Sequence, residues 1–285
     1  MKDDLGSRMK EFYEARSQTY LLRRTPVIIR VDGKAFHTFC RRFEKPYDKV
    51  LNGCLNKTLK YLCGNIQCVK MGQRHSDEMS LLLTDFDTLT TEPYFEYNVQ
   101  KICSVVASMT ATEFCKQVLI GGEWQYKLSA NFDKVAKRVW HSLFDNERLS
   151  YDENWPVFDC RCFNIPEKEV SNYFWWRLLD CKRSSINMMA QSLFSHAQLQ
   201  NKTCNEMQEM MFQEKGINWD TIPQEQKSGF LCIRKNVEKP VEKGPDQGKV
   251  CLRSVWTLEP SPKQKSDLDK IVDSVMIPQN IPLQE

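Results

Sequence analysis

Between residues 26 and 164, short β-branched runs and stretches of helical period follow one another in an order that few folds can use. Pro26-Val-Ile-Ile-Arg-Val-Asp32 is an apolar, β-branched run of strand length, and Gly33 ends it. After Lys45-Pro46, residues 47 to 63 place Val50, Leu51, Cys54, Leu55, Leu59 and Leu62 at helical spacing. Two short strands are expected at about 66–72 and 78–84, joined as a hairpin through Gln73-Arg-His-Ser-Asp77. Phe95, Val99, Ile102, Val106 and Met109 then recur at intervals of four, three, four and three, the stripe of a helix with one buried side. Residues 120 to 157 are irregular in pattern, and Val157-Phe-Asp-Cys-Arg-Cys-Phe-Asn164 reads as a strand stopped by Ile165-Pro166.

Strand, helix, strand, strand, helix, strand is the split βαβ, or ferredoxin-like, arrangement: an α+β fold whose antiparallel sheet carries its helices on one face. Its first and third strands are central neighbours running in opposite directions. Asp32 closes the first and Asp77 opens the third, so two carboxylates remote in sequence are expected to meet at one edge of the sheet.

The remainder of the chain divides around this unit. Residues 3 to 18 read as a charged helix and residues 167 to 214 as an appended helical region, where Phe174, Trp175, Trp176, Leu178 and Leu179 form an apolar cluster suited to core packing. The boundaries expected are 1–165 for the sheet domain, 166–235 for the helical region completing it, and 236–285 for a tail or linker in which Lys, Glu, Pro and Gly alternate.

A net charge of only +3 excludes a global basic field, so any polyanion must be met locally, at clusters such as Arg23, Arg24 and Arg30 or Arg177, Lys182 and Arg183. The twelve cysteines contain no Cys-x-x-Cys pair, and residues 1 to 13 lack the apolar run of a signal peptide. Thiols serving as small core residues in a reducing cytosol are the expectation, with no membrane partner, since no apolar stretch nears the roughly 20 residues that span a bilayer.

Paired aspartates at a sheet edge suit a pair of Mg²⁺ ions, which take carboxylate, carbonyl and phosphate oxygens. Gly33, without a side chain, allows a triphosphate close to the backbone, and Lys34 stands where it would meet phosphate.

With these residues in view, the chain resembles the tRNA-histidine guanylyltransferase superfamily, most closely its branch of template-dependent 3′-to-5′ RNA polymerases. The resemblance runs from about Leu5 to Lys235. It rests on Arg30-Val-Asp-Gly-Lys-Ala-Phe-His37, Phe43-Glu-Lys-Pro46 with Asp48, Ser76-Asp-Glu78, Trp176-Arg177 with Asp180-Cys181, and Glu214-Lys-Gly-Ile-Asn218. It implies a polymerase palm, two Mg²⁺ held by Asp32, the Gly33 carbonyl and Asp77, and a catalytic role at Lys45. It further implies nucleoside triphosphate along Asp32, Gly33, Lys34, Ala35, Phe36 and His37 and at Ser76 and Asp77, with Lys101 and Lys10 as triphosphate contacts. ATP and GTP would be substrates, the 5′ end and acceptor stem of a tRNA the acceptor, and a cytoplasmic homotetramer the assembly.

His37 and Glu78 match the motifs, yet we expect structural roles for both: metal activation leaves little need of a separate base, and Glu78 points away from Asp77 across the strand. Two departures stand out. Lys182-Arg-Ser-Ser-Ile-Asn-Met188 replaces the His-Ile-Asn-Asn-Leu-Tyr-Asn stretch of enzymes dedicated to tRNA-histidine, which favours repair of truncated 5′ ends over guanylylation at the −1 position. His75 stands where the family has Gln. The paired aspartates also admit a nucleotide cyclase, and the fold alone admits an RNA-binding protein without turnover.

Overall fold

The structure, a computed structural model, describes residues 4–126, 155–240 and 248–277. Six strands form one antiparallel sheet: β1 (Val27–Gly33), β2 (Val69–His75), β3 (Glu78–Leu83), β4 (Phe158–Asn164), β5 (Phe230–Pro240) and β6 (Val250–Pro260). Their spatial order is β4-β1-β3-β2-β5-β6. The first four strands in that list have the arrangement of the split βαβ unit, with β1 between β3 and β4.

Alternation along each strand sorts the side chains onto two faces. On the back face Val27, Ile29, Val31, Met79, Leu81 and Leu83 pack against α1 (Lys49–Asn65) and α2 (Val99–Tyr126). Helix α1 begins where the Asp48 carboxylate accepts the Leu51 N–H at 2.8 Å, and it buries Cys54, Leu55, Thr58, Leu59, Leu62 and Cys63 at steps of three and four. The expected stripe of α2 is present in Ile102 and Val106, both fully buried. Phe95 belongs instead to the turn before the helix, at φ 49°.

These two helices share one face, as the fold class requires, and the appended region covers the other. Helix α3 (Val170–Leu193) lays Val170, Tyr173 and Phe174 over Ile28 and Leu82, then carries Ile186, Met189 and Ala190 into a separate cluster with Met207 and Met211 of α4 (Cys204–Lys215) and with Trp219. Of the aromatic cluster, Phe174 and Leu178 are buried while Trp176 and Leu179 are half exposed. The charged amino-terminal segment forms helical turns from Leu5 to Ser17 and buries none of its residues.

Two expectations are corrected. Residues 73 to 75 belong to β2 rather than to the hairpin connection, which shrinks to Ser76 and Asp77. The polar side chains there are buried and find partners remote in sequence, so they do not need a loop. The segment from 236 is no tail: β5 continues to Pro240, β6 returns beside it, and α5 (Lys265–Met276) buries Leu268, Val272 and Met276 against Met71 and Ile233 on the front face. Its outer half projects past the end of β2 into solvent, and its charged composition reflects that exposure. Residues 127–154, part of the stretch irregular in sequence, lie outside the described residues. Among the described residues no helix is long and apolar enough to cross a membrane, none of the twelve cysteines is in a disulfide, and four of them, Cys54, Cys63, Cys181 and Cys232, are buried.

Candidate active site at the end of the first strand

Strand β1 ends in Asp32 and Gly33, two of the residues that the sequence motifs single out. Its register with β3 runs to Val31↔Met79, so Asp32 faces Glu78 one step on and Gly33 faces the Ser76-Asp77 turn. A Cβ built on Gly33 would lie 2.5 Å from Asp77 Oδ2 and 2.3 Å from Phe36 Cδ2. Only glycine therefore lets the Asp77 carboxylate rest against the backbone next to Asp32. The two acids share this corner closely enough to feel each other. Burial pushes the Asp77 carboxyl above its ordinary range and the Asp32 charge adds to this, although a hydrogen bond from Ser76 Oγ at 2.9 Å pulls the other way. The Asp32 carboxyl is raised by burial first, then by the charges of Glu78 and Asp159.

Asp159 joins this corner without belonging to any of the motifs. It sits on β4 directly opposite Asp32, paired with Arg161 at 2.8 Å, and Arg161 in turn lies opposite Arg30. The signal was available in Phe158-Asp-Cys-Arg-Cys162, whose alternation places both polar residues on one face. That face is the one Asp32 and Arg30 share.

Beyond Gly33 the chain turns under firm constraint. The Lys34 N–H donates to the Val157 carbonyl at 2.8 Å, Ala35 adopts φ 51°, and Phe36 is buried with ring centroids 5.0, 5.6 and 5.1 Å from those of Phe39, Phe114 and Phe158. Phe36 is thus an anchor, and what this loop offers a ligand is its backbone and the exposed Lys34. His37 is exposed, with Nε2 3.1 Å from Thr38 Oγ1, so it is hydrogen-bonded and not packed. Lys45 is exposed on the loop leading into α1, at the same edge of the sheet. Asp48 steadies that loop by accepting the Glu44 N–H at 3.0 Å.

Glu78 takes the structural place expected of it. Arg177 on α3 grips its carboxylate through two hydrogen bonds, of 2.6 and 2.8 Å, and reaches Asp180 at 2.8 Å and His75 Nε2 at 3.3 Å. Burial pushes the Glu78 carboxyl up, but the hydrogen bond from His75 and the charges of His75 and Arg177 outweigh it and hold the group below its usual value. Tyr173 Oη and Ser80 Oγ share a further buried hydrogen bond of 2.9 Å one row deeper.

Lys101 is not brought to this site within the chain. Helix α2 returns antiparallel to β3, so its first turn lies at the opposite edge of the sheet, where Lys101 Nζ stands 5.0 Å over the Phe95 ring. Phe114, which does touch Phe36, is about 20 Å further along the helix axis. Lys10 lies on the exposed amino-terminal turns.

The donor set can be matched to an ion on chemical grounds. Among the described residues no group of three or more His, Cys, Asp or Glu side chains is poised to hold a metal ion. Two carboxylates beside the Gly33 backbone, in a cradle that a Cβ would fill, suit Mg²⁺, which keeps water and takes its remaining oxygens from substrate phosphates.

Comparison with known proteins agrees with the resemblance read from the motifs. The family model for tRNAHis guanylyltransferase matches residues 6–166. The chain is 27% identical over 241 residues to the tRNA(His) guanylyltransferase of Debaryomyces hansenii, with 80% of each chain covered. It is 28% identical over 230 residues to that of Saccharomyces cerevisiae, covering 73% of this chain and 82% of the relative. Among solved structures it is similar to a bacterial tRNA(His) guanylyltransferase-like protein in complex with ATP, at TM-score 0.75 and 33% identity over 96% of this chain and 100% of the other. The similarity to such a protein in complex with GTP has TM-score 0.71 and 32% identity. With its motifs, its sheet order and more than half of its length matching, the chain belongs to the tRNAHis guanylyltransferase family of nucleotidyltransferases.

Proposed function

We propose that this chain is a Mg²⁺-dependent nucleotidyltransferase that adds nucleotides in the 3′-to-5′ direction to the 5′ end of tRNA, rebuilding ends that have lost a nucleotide. The observation that carries the reading is the Asp77 carboxylate lying against Gly33, beside Asp32. In this reading Asp32, Asp77 and the Gly33 carbonyl hold the ion. When bound, Mg²⁺ supplies charge neutralisation at the phosphates and acidifies an attacking hydroxyl. The chain's own residues do the positioning. Ala35 to His37, on a loop fixed by Val157 and by Phe36, offer N–H groups to a triphosphate and Lys34 its ammonium, Ser76 orients Asp77, and Lys45 brings a point charge to the transferred phosphate. Similarity to structures that hold ATP and GTP supports nucleotide binding here, and the relatives' names support a tRNA acceptor. The stripe of Leu5, Met9, Phe12 and Tyr13, all well exposed, supports an assembly of copies, for which we propose a tetramer.

A second reading, addition of G to tRNA(His), is favoured by those same names. The Lys182–Met188 departure favours repair. Incubation with Mg²⁺, labelled ATP and GTP, and either a tRNA lacking its first nucleotide or an intact tRNA(His) separates the two. Extension of the truncated acceptor alone is expected. Labelling of intact tRNA(His) alone would replace repair by guanylylation, and labelling of neither, by folded protein, would remove the enzyme reading.

A further inference from the structure

One charged side chain sits on the sheet face that is otherwise packed with apolar groups. Arg74 projects from β2 in register with Met79, toward α1, and is 2% exposed. Burial drags its pKa down to about 10, a sign of how far it is from water. A guanidinium so placed is tolerable only when its donors are met. Nε donates to Asn56 Oδ1 at 2.8 Å, and one terminal nitrogen donates to Asn52 Oδ1 at 3.0 Å. The other donates to the main-chain carbonyl of Ser76 at 2.6 Å.

That last contact reaches the active site. Ser76 holds φ 47°, a left-handed conformation that costs a non-glycine residue about 1 kcal/mol or more, and the next residue is Asp77. The chain of contacts continues on the other side. Asn52 Nδ2 donates to the Asp48 carbonyl at 2.8 Å, and the Asp48 carboxylate holds the Glu44 N–H beside Lys45. Asp77 and Lys45, on opposite sides of the corner, are therefore linked through Ser76, Arg74, Asn52 and Asp48.

We propose that Arg74 is a positioning residue for the transfer reaction: it clamps the Ser76 carbonyl so that Asp77 stays against Gly33, and through Asn52 and Asp48 it sets the Lys45 loop relative to that turn. The inference rests on reading Asp32 and Asp77 as the ion-holding pair. A guanidinium serving only the core would affect stability and leave the folded protein's metal affinity untouched.

The test uses the full chain, with circular dichroism confirming the fold at the assay temperature. Mn²⁺ binding is measured in the presence of ATP, and kcat and KM are measured for nucleotide addition. Arg74→Met is expected to raise the Mn²⁺ Kd about tenfold and to lower kcat about tenfold or more, with KM for ATP little changed; Arg74→Lys should recover part of both. Asn52→Ala cuts the link to Asp48 but leaves the Ser76 bond, so kcat should fall while Mn²⁺ affinity stays. A folded Arg74→Met with parental Mn²⁺ affinity and kcat overturns the clamp. Should Arg74→Met fail to fold, Asn52→Ala with parental kcat overturns the coupling by itself. Asp77→Ala is the control for the underlying reading: if it binds Mn²⁺ as the parent does, the ion-holding pair falls and the proposal falls with it, whereas loss in Asp77→Ala beside parental behaviour in Arg74→Met sinks only the role of Arg74.

Discussion

The two faces of the sheet are built from alternate residues of the same strands, yet they obey different rules. On the back face Val27, Ile29, Val31, Met79, Leu81 and Leu83 make a dry core with α1 and α2. On the front face Ile28 and Leu82 are equally buried at the far edge, but toward the end of β1 they give way to cross-strand rows of polar groups. Arg161, Arg30, Ser80 and Gln73 form one row, and Asp159, Asp32, Glu78 and His75 the next. Helix α3 closes over these rows with Tyr173 and Arg177. The back face supplies stability and the front face uses some of it to hold like charges together.

Mutations can break this division, and the largest effect should come from the acids themselves. Asp32→Ala and Asp77→Ala are each expected to lower nucleotide incorporation roughly a thousandfold or more. The fold should stand, because the change removes repulsion and not packing. Near-parental turnover in either folded variant would show that the corner is not where the chemistry happens.

Next in size is the ion pair that closes the front face. Arg177→Met leaves Glu78 buried without its partner and should cost about 3–5 kcal/mol in denaturant unfolding. Because Glu78 is held below its ordinary pKa, its contribution is present at neutral pH and is lost as pH falls through that lowered value, so the cost should shrink on acidification. On the back face Leu59→Ala should cost roughly 3 kcal/mol at any pH, from lost apolar burial and the cavity left behind. A similar pH dependence for both variants would erase the distinction between the faces.

How much of this could be read from the chain follows the same boundary. The strand ending in Asp32-Gly33 was legible because an apolar run is cut by an acid and a glycine, and α1 was legible because its period is unbroken. Gln73, Arg74 and His75 looked like a loop because their compensation is nonlocal: Phe174 O accepts from Gln73 at 3.3 Å, Asn52 and Asn56 serve Arg74, and Arg177 meets His75. Asp159 was hidden for want of a register to align it with Asp32. The β5–β6 ribbon has the composition of a tail because its outer half, in solvent, needs no apolar alternation, and that masks α5 beyond it. Val272→Ala offers a check on that correction. A loss of about 2 kcal/mol is expected for a buried valine on α5, whereas a tail would register no change.

The smallest effect is the most specific to the corner, because its sign is opposite to that of the other variants. The Asp32 and Asp77 carboxyls are both raised above the ordinary aspartate value of 3.8. Between that unfolded value and the raised folded values the native state binds more protons than the unfolded chain, so stability from these groups falls as pH rises through the window. Above the window the penalty is complete; below 3.8 it is gone. Asp77→Asn removes one charge and relieves the other, and in the presence of EDTA it should raise Tm by a few degrees at neutral pH, an advantage that fades as pH is lowered toward the ordinary carboxylate range. Adding Mg²⁺ should reverse the order, since only the parent retains both acids to share with the ion. If the variant is less stable than the parent in EDTA at neutral pH, the two carboxylates are not opposing each other, and the front face is holding something other than a charge it can spare only for a cation.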